Sequence, residues 1–554
     1  MSRILLLSLA LLLASCATTK QNSNAAAAKM PFVWENANLY FLLTDRFNNG
    51  NPANDLNFGR TDQTAPLRGF MGGDLAGITK KIEEGYFDKL GVTALWFTPV
   101  VEQIHGSTDE GTGVTYGFHG YWAKDWTALD PNFGTEKDLM KLIETAHQHG
   151  IRVVLDVVIN HTGPVTTADP VWPADWVRTE PACTYKNYET TTACTLVKNL
   201  PDIRTESNKA VELPPFLVEK WKAEGRYEKE MAELEAFFVR TGYPRAAKYY
   251  IIKWLTDYIR KYGADGFRCD TAKHLEESVW ADLRKEADLA FADWKKANPK
   301  KVLDANPFYM VGEVYFYNIN NGRNYDFGDK KVDYFNNGFS SLINFGIKGD
   351  ATADYETLFA KYSKLLQKQL AGKTVLNYMT SHDDGEPFDK MRTKPFETGT
   401  KLLLCPGGAQ IYYGDETARP LTFEGAQGDA NLRTFMNWDD VKNNAVRNGV
   451  NVREVLAHWQ KLGQFRRAHP AVGAGVHEML SAKPYVFKRT YEQGKRTDIV
   501  IVGLDQPKGP KSIDLRGLYP EGMMLTDYYS GSKIKVTGGK ATLNTPFEIV
   551  LLGK

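Results

Sequence analysis

Eight short apolar runs recur along the chain, and amphipathic stretches separate them. This alternation restricts the fold more than any other feature. The runs are LYFLLTD (39–45), TALWFTP (93–99), RVVLDVVIN (152–160), DGFRCD (265–270), FYMVGEV (308–314), VDYFNN (332–337), TVLNYMTSHD (374–383) and AQIYYGDE (409–416). Most are too apolar for a sheet with one wet face and suit parallel strands covered by helices. EKDLMKLIETAHQHG (136–150) and AAKYYIIKWLTDYIRKYG (246–263) carry the helical period, closed by Gly150 and Gly263. Eight such units predict an α/β fold, a (β/α)8 barrel.

Two segments break the alternation. Residues 162–245 hold no strand–helix unit, so they are expected to form a subdomain inserted after the third strand. Within them, KWKAEGRYEKEMAELEAFF (220–238) reads as a solvated helix. Beyond the helical pattern of 452–468 come short alternating runs, PYVFKRTY (484–491), DIVIVGL (498–504) and FEIVLLG (547–553), separated by glycine turns. Residues 471–554 therefore read as an antiparallel β-sandwich. The barrel itself is assigned to 33–161 and 246–470.

Arg3 is followed by an apolar run over 4–14, too short to cross a bilayer and right for a signal-peptide core. It ends in Leu13-Ala14-Ser15-Cys16, which resembles the lipobox of bacterial lipoproteins. That resemblance implies cleavage at Cys16, a lipid on this residue and export, with the outer membrane facing the periplasm as the expected site. A plain secretory signal containing a cysteine is the alternative. Residues 17–32 read as a flexible tether.

The 68 Lys and Arg nearly balance the 67 Asp and Glu, a net charge of +1. Such a balance carries no electrostatic footprint for nucleic acid or an acidic membrane. Of the cysteines, Cys183 and Cys194 share a loop-like segment and could pair in an exported protein. Cys269 and Cys405 read as buried small hydrophobes. No CxxC spacing points to zinc. A monomer is expected.

A parallel barrel gathers its functional residues at the C-terminal ends of its strands. The third run ends in Asp156, Asn160 and His161, the fourth in Arg268 and Asp270, the fifth in Glu313, and the seventh in His382 and Asp383. Alone, Arg268-x-Asp270 is an ordinary strand-end ion pair. Four runs ending this way bring acids and two histidines to one rim. Alternation directs Arg268 and Asp270 to the same side. A carboxylate beside a guanidinium stays ionised, as a nucleophile must. Glu313 follows an apolar run, where desolvation and neighbouring carboxylates favour an acid that keeps its proton.

DVVINH (156–161), GFRCDTAKH (266–274), GEVY (312–315) and YMTSHDD (378–384) resemble, in order, the four signature regions of the α-amylase family, glycoside hydrolase family 13. GVTALWFTPV (91–100), LPDI (200–203) and GAQIYYGDE (408–416) resemble its secondary signatures. LPDI and the Lys273-His274 pair look more like α-amylases, bacterial periplasmic ones in particular, than like the α-glucosidase branch. The resemblance implies a retaining, endo-acting hydrolase of α-1,4-glucans. Asp270 would be the nucleophile, Glu313 the acid/base and Asp383 the third carboxylate. His161, His382 and Arg268 would serve the sugar at the cleavage point, with Tyr121 and Trp122 as its aromatic platform. Lys273 and His274 would line the leaving-group side, and Asp156 would be a buried partner for Arg268. Ser381 stands where the family has asparagine. A maltodextrin-specific glucosidase, a transglycosylase or a non-catalytic glucan-binding protein are the alternatives.

The resemblance also implies structural Ca2+, held by hard oxygen donors. Asn160, Asp202 and the His274 carbonyl match one site, which ties the inserted subdomain to the barrel. Asn49, Asn51, Asn54, Asp55, the Gly72 carbonyl and Asp74 resemble a second, seen in cyclodextrin-forming relatives. Closely spaced Asn, Asp and Gly also build ordinary turns.

Overall fold

The computed structural model describes residues 30–109 and 111–554. The signal segment, Cys16 and most of the tether lie outside the described residues. Eight parallel strands close a barrel in chain order: β1 (Asn38–Leu42), β2 (Ala94–Phe97), β3 (Arg152–Val157), β4 (Gly266–Cys269), β5 (Tyr309–Gly312), β6 (Ser341–Asn344), β7 (Thr374–Tyr378) and β8 (Gly408–Tyr412). β8 returns to β1, with Phe41 beside Tyr412. Every strand is buried along its whole length, which explains their apolar runs.

Helices cover the barrel where the 3.6-residue pattern predicts them. Glu136–Gln148 starts at a capping box between Thr135 and Asp138 and buries Leu139, Leu142, Ile143 and Ala146 along one stripe. Ala247–Tyr262 ends at Gly263, whose φ of 77° places it in the left-handed region. A Cβ there would lie 2.1 Å from the Trp294 ring, so glycine is required by both backbone and packing.

The sixth strand is not VDYFNN. Lys331–Asp333 pairs antiparallel with Asn324–Asp326 in a hairpin beyond β5, and Ser341–Asn344 takes the barrel position. Both ends of β6 are polar, which hides it from an apolar reading. Asn344 is nonetheless fully buried, donating to Asn377 Oδ1 at 2.9 Å and the Tyr362 hydroxyl at 3.0 Å. The third and seventh strands also stop earlier than their apolar runs. Asn160, His161, His382 and Asp383 therefore sit in the following loops.

Between β3 and Ala247–Tyr262, the inserted segment holds a two-stranded pair, Val177–Arg178 with Asp202–Ile203, and a disulfide between Cys183 and Cys194. The charged stretch at 220–238 is two helices, Pro215–Ala223 and Tyr227–Thr241, broken at Gly225 with φ of 70°. Nor are they simply solvated. Trp221, Leu234, Phe237 and Phe238 are buried, and Trp221 meets Trp254 of the barrel helix edge-on at 6.3 Å. Their charges also reach inward, with Lys220 pairing with Asp125 at 2.6 Å and Glu102 at 2.7 Å.

The C-terminal residues form a six-stranded antiparallel sheet and a two-stranded one, Gly509–Asp514 with Lys540–Thr545. Ile501, Leu515, Leu525, Val536, Leu543 and Leu552 form a separate core within this region. Trp221→Ala removes the ring that seats the inserted helices. The substitution is expected to cost about 3–5 kcal/mol, read by denaturant unfolding, with faster proteolysis inside 162–245.

Candidate active site

At the C-terminal mouth of the barrel, one side chain organises the others. Arg268 on β4 sits directly across from Asp156 on β3 and Val311 on β5. Its side chain is completely buried. Nη1 donates to Asp270 Oδ1 at 2.6 Å and Asp156 Oδ1 at 3.0 Å, while Nη2 lies 2.9 Å from Glu313 Oε1. Three carboxylates thus share one guanidinium, and a buried charge so surrounded keeps its ion partners. Burial pushes the Asp156 carboxyl up against the pull of Arg268. Its Oδ2 also accepts from Trp96 Nε1 at 2.9 Å and the Tyr121 hydroxyl at 2.8 Å. Asp156 is therefore the buried partner the sequence reading assigned it to be.

Glu313 follows β5, and its backbone N–H donates to Cys269 O at 3.0 Å, which locks it beside Asp270. Its Oε2 accepts from the Thr271 N–H at 2.9 Å, and Thr271 has φ of 47°, a left-handed turn just after Asp270. Burial lifts the Glu313 carboxyl to about 8, outweighing Arg268, and the charges of Asp270 and Asp383 add to the rise.

Asp383 is set differently. Burial would raise its carboxyl, but His382 and Arg433 outweigh this and hold it well below the usual range. His382 Nε2 lies 2.8 Å from Oδ2, and Arg433 contacts Oδ1. Arg433 also pairs with Asp429 at 2.7 Å, and Asp429 pairs with Arg68 at 2.9 Å. Arg433, Asp429 and Arg68 lie outside the residues that the sequence marks for the site. Asp429 and Arg433 lie on the 3-10 helix Gly428–Arg433 beyond β8, and their Asp-x-x-x-Arg spacing was the available signal.

These acids open onto one cavity of about 1680 Å³. Asp270, Glu313, Asp383, Tyr121, Trp122, His161, Lys273 and His274 all line it. Arg268 and His382 do not; both lie behind its wall, because their donors are turned to the carboxylates. Tyr121 stacks on His382 at 5.3 Å, and His161 Nε2 lies 3.1 Å from Tyr121 O. Burial pushes His274 down to about 4, and its Nδ1 lies 3.0 Å from Thr191 O. Rings of Tyr185, Tyr315, Phe316 and Tyr325 surround the Lys273 ammonium at 5.5–5.8 Å.

The two oxygen clusters differ. In the first loop, Asn49 donates to Asp55 at 2.9 Å, while Asn49 Oδ1 and Asn54 Oδ1 are buried with no hydrogen-bond partner. Gly72 has φ of 86°, and a Cβ there would strike Asn49 and Asp55. This crowded set of oxygens fits a hard cation. Asp74 is already engaged as an N-cap, accepting from Gly50, Asn51 and Gly77, and the Asn51 oxygen accepts from the Ala53 N–H. The second cluster fits a cation poorly. Its single carboxylate, Asp202, is ion-paired with Arg178 at 2.9 Å, which the sequence reading did not foresee. Asn160 joins it through the main chain, its carbonyl accepting from the Ile203 N–H at 2.7 Å.

A parallel barrel whose mouth presents three carboxylates, one set to keep its proton, around a cleft larger than a single ligand needs defines a glycoside hydrolase. The chain belongs to the α-amylase family: the family's profile, "Alpha amylase, catalytic domain", matches residues 41–475. A periplasmic alpha-amylase of Escherichia coli (strain K12) is 36% identical over 84% of this chain and 72% of its own length. A cyclomaltodextrinase of Bacillus sp is 28% identical over 86% of this chain and 74% of its own length. Among solved structures, an Anoxybacillus alpha-amylase superposes with a TM-score of 0.63 at 23% identity, over 94% of this chain and 99% of its own.

Replacing Arg268 with Met would leave Asp156 buried without its cation. We expect a loss of about 3–5 kcal/mol, measured by denaturant unfolding.

Proposed function

We propose that this chain is an exported, retaining α-amylase that cuts α-1,4-glucosidic bonds within glucan chains. The observation that carries this reading is that Asp270 and Glu313 occupy adjacent nitrogens of one guanidinium. Carboxylates that close fit the spacing of about 5 Å used by retaining glycosidases rather than the wider gap of inverting ones. Asp270 attacks the anomeric carbon as Glu313 gives its proton to the glycosidic oxygen. The C–O bond to the leaving sugar breaks, and a glycosyl ester forms on Asp270. Glu313, now ionised, takes a proton from water, which attacks the same carbon and releases Asp270. Asp383, held ionised, binds ring hydroxyls and favours the oxocarbenium-like transition state. Tyr121 and Trp122 supply the platform, with His161 on the same sugar. Arg268 and His382 act through the carboxylates they hold.

Endo action is supported by a cleft that extends from Arg68 and Asp429 beside Asp383 to Phe316 and Tyr325 around Lys273. The aromatic ring of side chains around Lys273 also favours a second reading, transfer to an acceptor sugar, since those rings would hold an acceptor as well as a leaving group. Relatives named as cyclomaltodextrinase and cyclomaltodextrin glucanotransferase keep that reading in view. The disulfide between Cys183 and Cys194 supports an oxidising compartment, as does the periplasmic name of one relative. We read the protein as a monomer held to a membrane through a lipid on Cys16. Ca2+ at Asn49, Asn54, Asp55 and the Gly72 carbonyl would cross-link the first loop and neutralise its carboxylate, with no part in catalysis.

Asp270→Asn is expected to abolish starch hydrolysis while glucan binding persists; lost binding with folding intact would instead argue against this residue's role. Products from long amylose should be mixed short oligosaccharides, with maltotriose cut far more slowly; release of single units from chain ends would contradict endo action. Because the active form of Glu313 is protonated and its pKa is raised to about 8, kcat/KM should hold below that pH and fall as pH rises through it. Glu313→Gln should remove this limb together with at least about a hundredfold of the rate. Chelator should lower Tm and added CaCl2 restore it, and Asp55→Ala should abolish the response. At a hundredfold its Kd, the ion would add about 2.7 kcal/mol.

A further inference from the structure

We propose that Arg178 is a built-in cation that takes the place of a divalent ion at Asp202, inside the inserted subdomain and beside its junction with the barrel. Arg178 and Asp202 face each other across the strand pair Val177–Arg178 and Asp202–Ile203, with Nε 2.9 Å from Oδ2. Both side chains are buried, at 8% and 2% exposure, so the pair is shielded from water and salt. Arg178 also contacts Glu206 through Nη2, which leaves its charge shared between two carboxylates. A guanidinium is always charged, and its planar fork can hold two acids at once.

The junction itself closes through the main chain. The Ile203 N–H donates to Asn160 O at 2.7 Å, and the Thr162 N–H donates to Pro201 O at 3.0 Å. Asp202 forms an isolated bridge with His161, one of the residues lining the cleft. A residue that fixes Asp202 therefore also fixes the loop that presents His161. Calcium would need six to eight oxygens and would have to evict a buried guanidinium from the only carboxylate among Asn160, Asp202 and the His274 carbonyl. Arg178 sets its charge against Asp202 from within the same subdomain, while burial still lifts the Asp202 carboxyl to about 9; the tie to the barrel is carried by the main-chain hydrogen bonds and the bridge to His161. The inference does not rest on the proposed activity or on calcium at the first loop.

The test uses the full mature chain carrying Asp55→Ala, which silences the first loop. In this background, Tm is expected to be the same in chelator and in millimolar CaCl2. Adding R178S should lower Tm in chelator, with CaCl2 restoring it as the freed Asp202 accepts the ion. R178K, which keeps the charge, should remain insensitive to chelator. A Tm of R178S that calcium does not move would overturn the proposal. Should R178S fail to fold, metal content decides. Equal calcium in Asp55→Ala with and without Asp202→Asn supports the proposal, and loss of one calcium per chain on Asp202→Asn refutes it. If the wild type and Asp55→Ala respond alike to chelator, the first-loop reading fails while this one stands or falls on Arg178.

Discussion

The buried Arg268 is the constraint on which the site depends. It reaches Asp156, Asp270 and Glu313 from β4, so three neighbouring strands must keep their register for any of them to be satisfied. Taking a guanidinium out of water is costly, and only several well-placed acids offset it. The stacked rings of Phe41 and Trp96, 3.6 Å apart, fill the barrel beneath, and Trp96 in turn donates to Asp156. Core packing, ion pairing and the opening of the cleft are therefore one arrangement. A shift of any strand by one residue would turn its acid away from the guanidinium.

The same arrangement sets unequal protonation on chemically similar groups. Glu313 is buried beside other negative charge and keeps its proton, whereas Asp383 is held ionised by His382 and Arg433. Separating the two is what acid–base chemistry on a sugar requires. Arg433 comes from the segment after β8, so the third carboxylate is governed by a part of the chain remote from the signature regions. Through Asp429 the chain of ion pairs continues to Arg68 at the same end of the cleft.

Much of this could be read from residue order. The apolar runs that lie on both faces of the sheet marked most barrel strands, and the acids at their ends marked the rim. What escaped was decided by long-range polar contacts. β6 begins with a serine and ends with an asparagine, which become strand-compatible only once Asn377 and Tyr362 arrive as partners. The helices at 215–241 looked solvated because their charges dominate the composition. Their buried face is defined by Trp254 on the next helix and by Asp125, far back in the chain. Arg178 was invisible for the same reason. Nothing local shows that an arginine in one strand will face the aspartate expected to hold a metal.

The inserted segment and the barrel thus meet through backbone hydrogen bonds and the ion pairs of Lys220 with Asp125 and Glu102, while the first loop keeps orphaned oxygens suited to a cation. The central claim, that Asp270 and Glu313 flank one bond at the close spacing of a double displacement, is tested most directly by the anomeric configuration of the first product. Proton NMR during early hydrolysis of a maltooligosaccharide should show the α-anomer appearing before mutarotation. Initial release of the β-anomer would contradict the account.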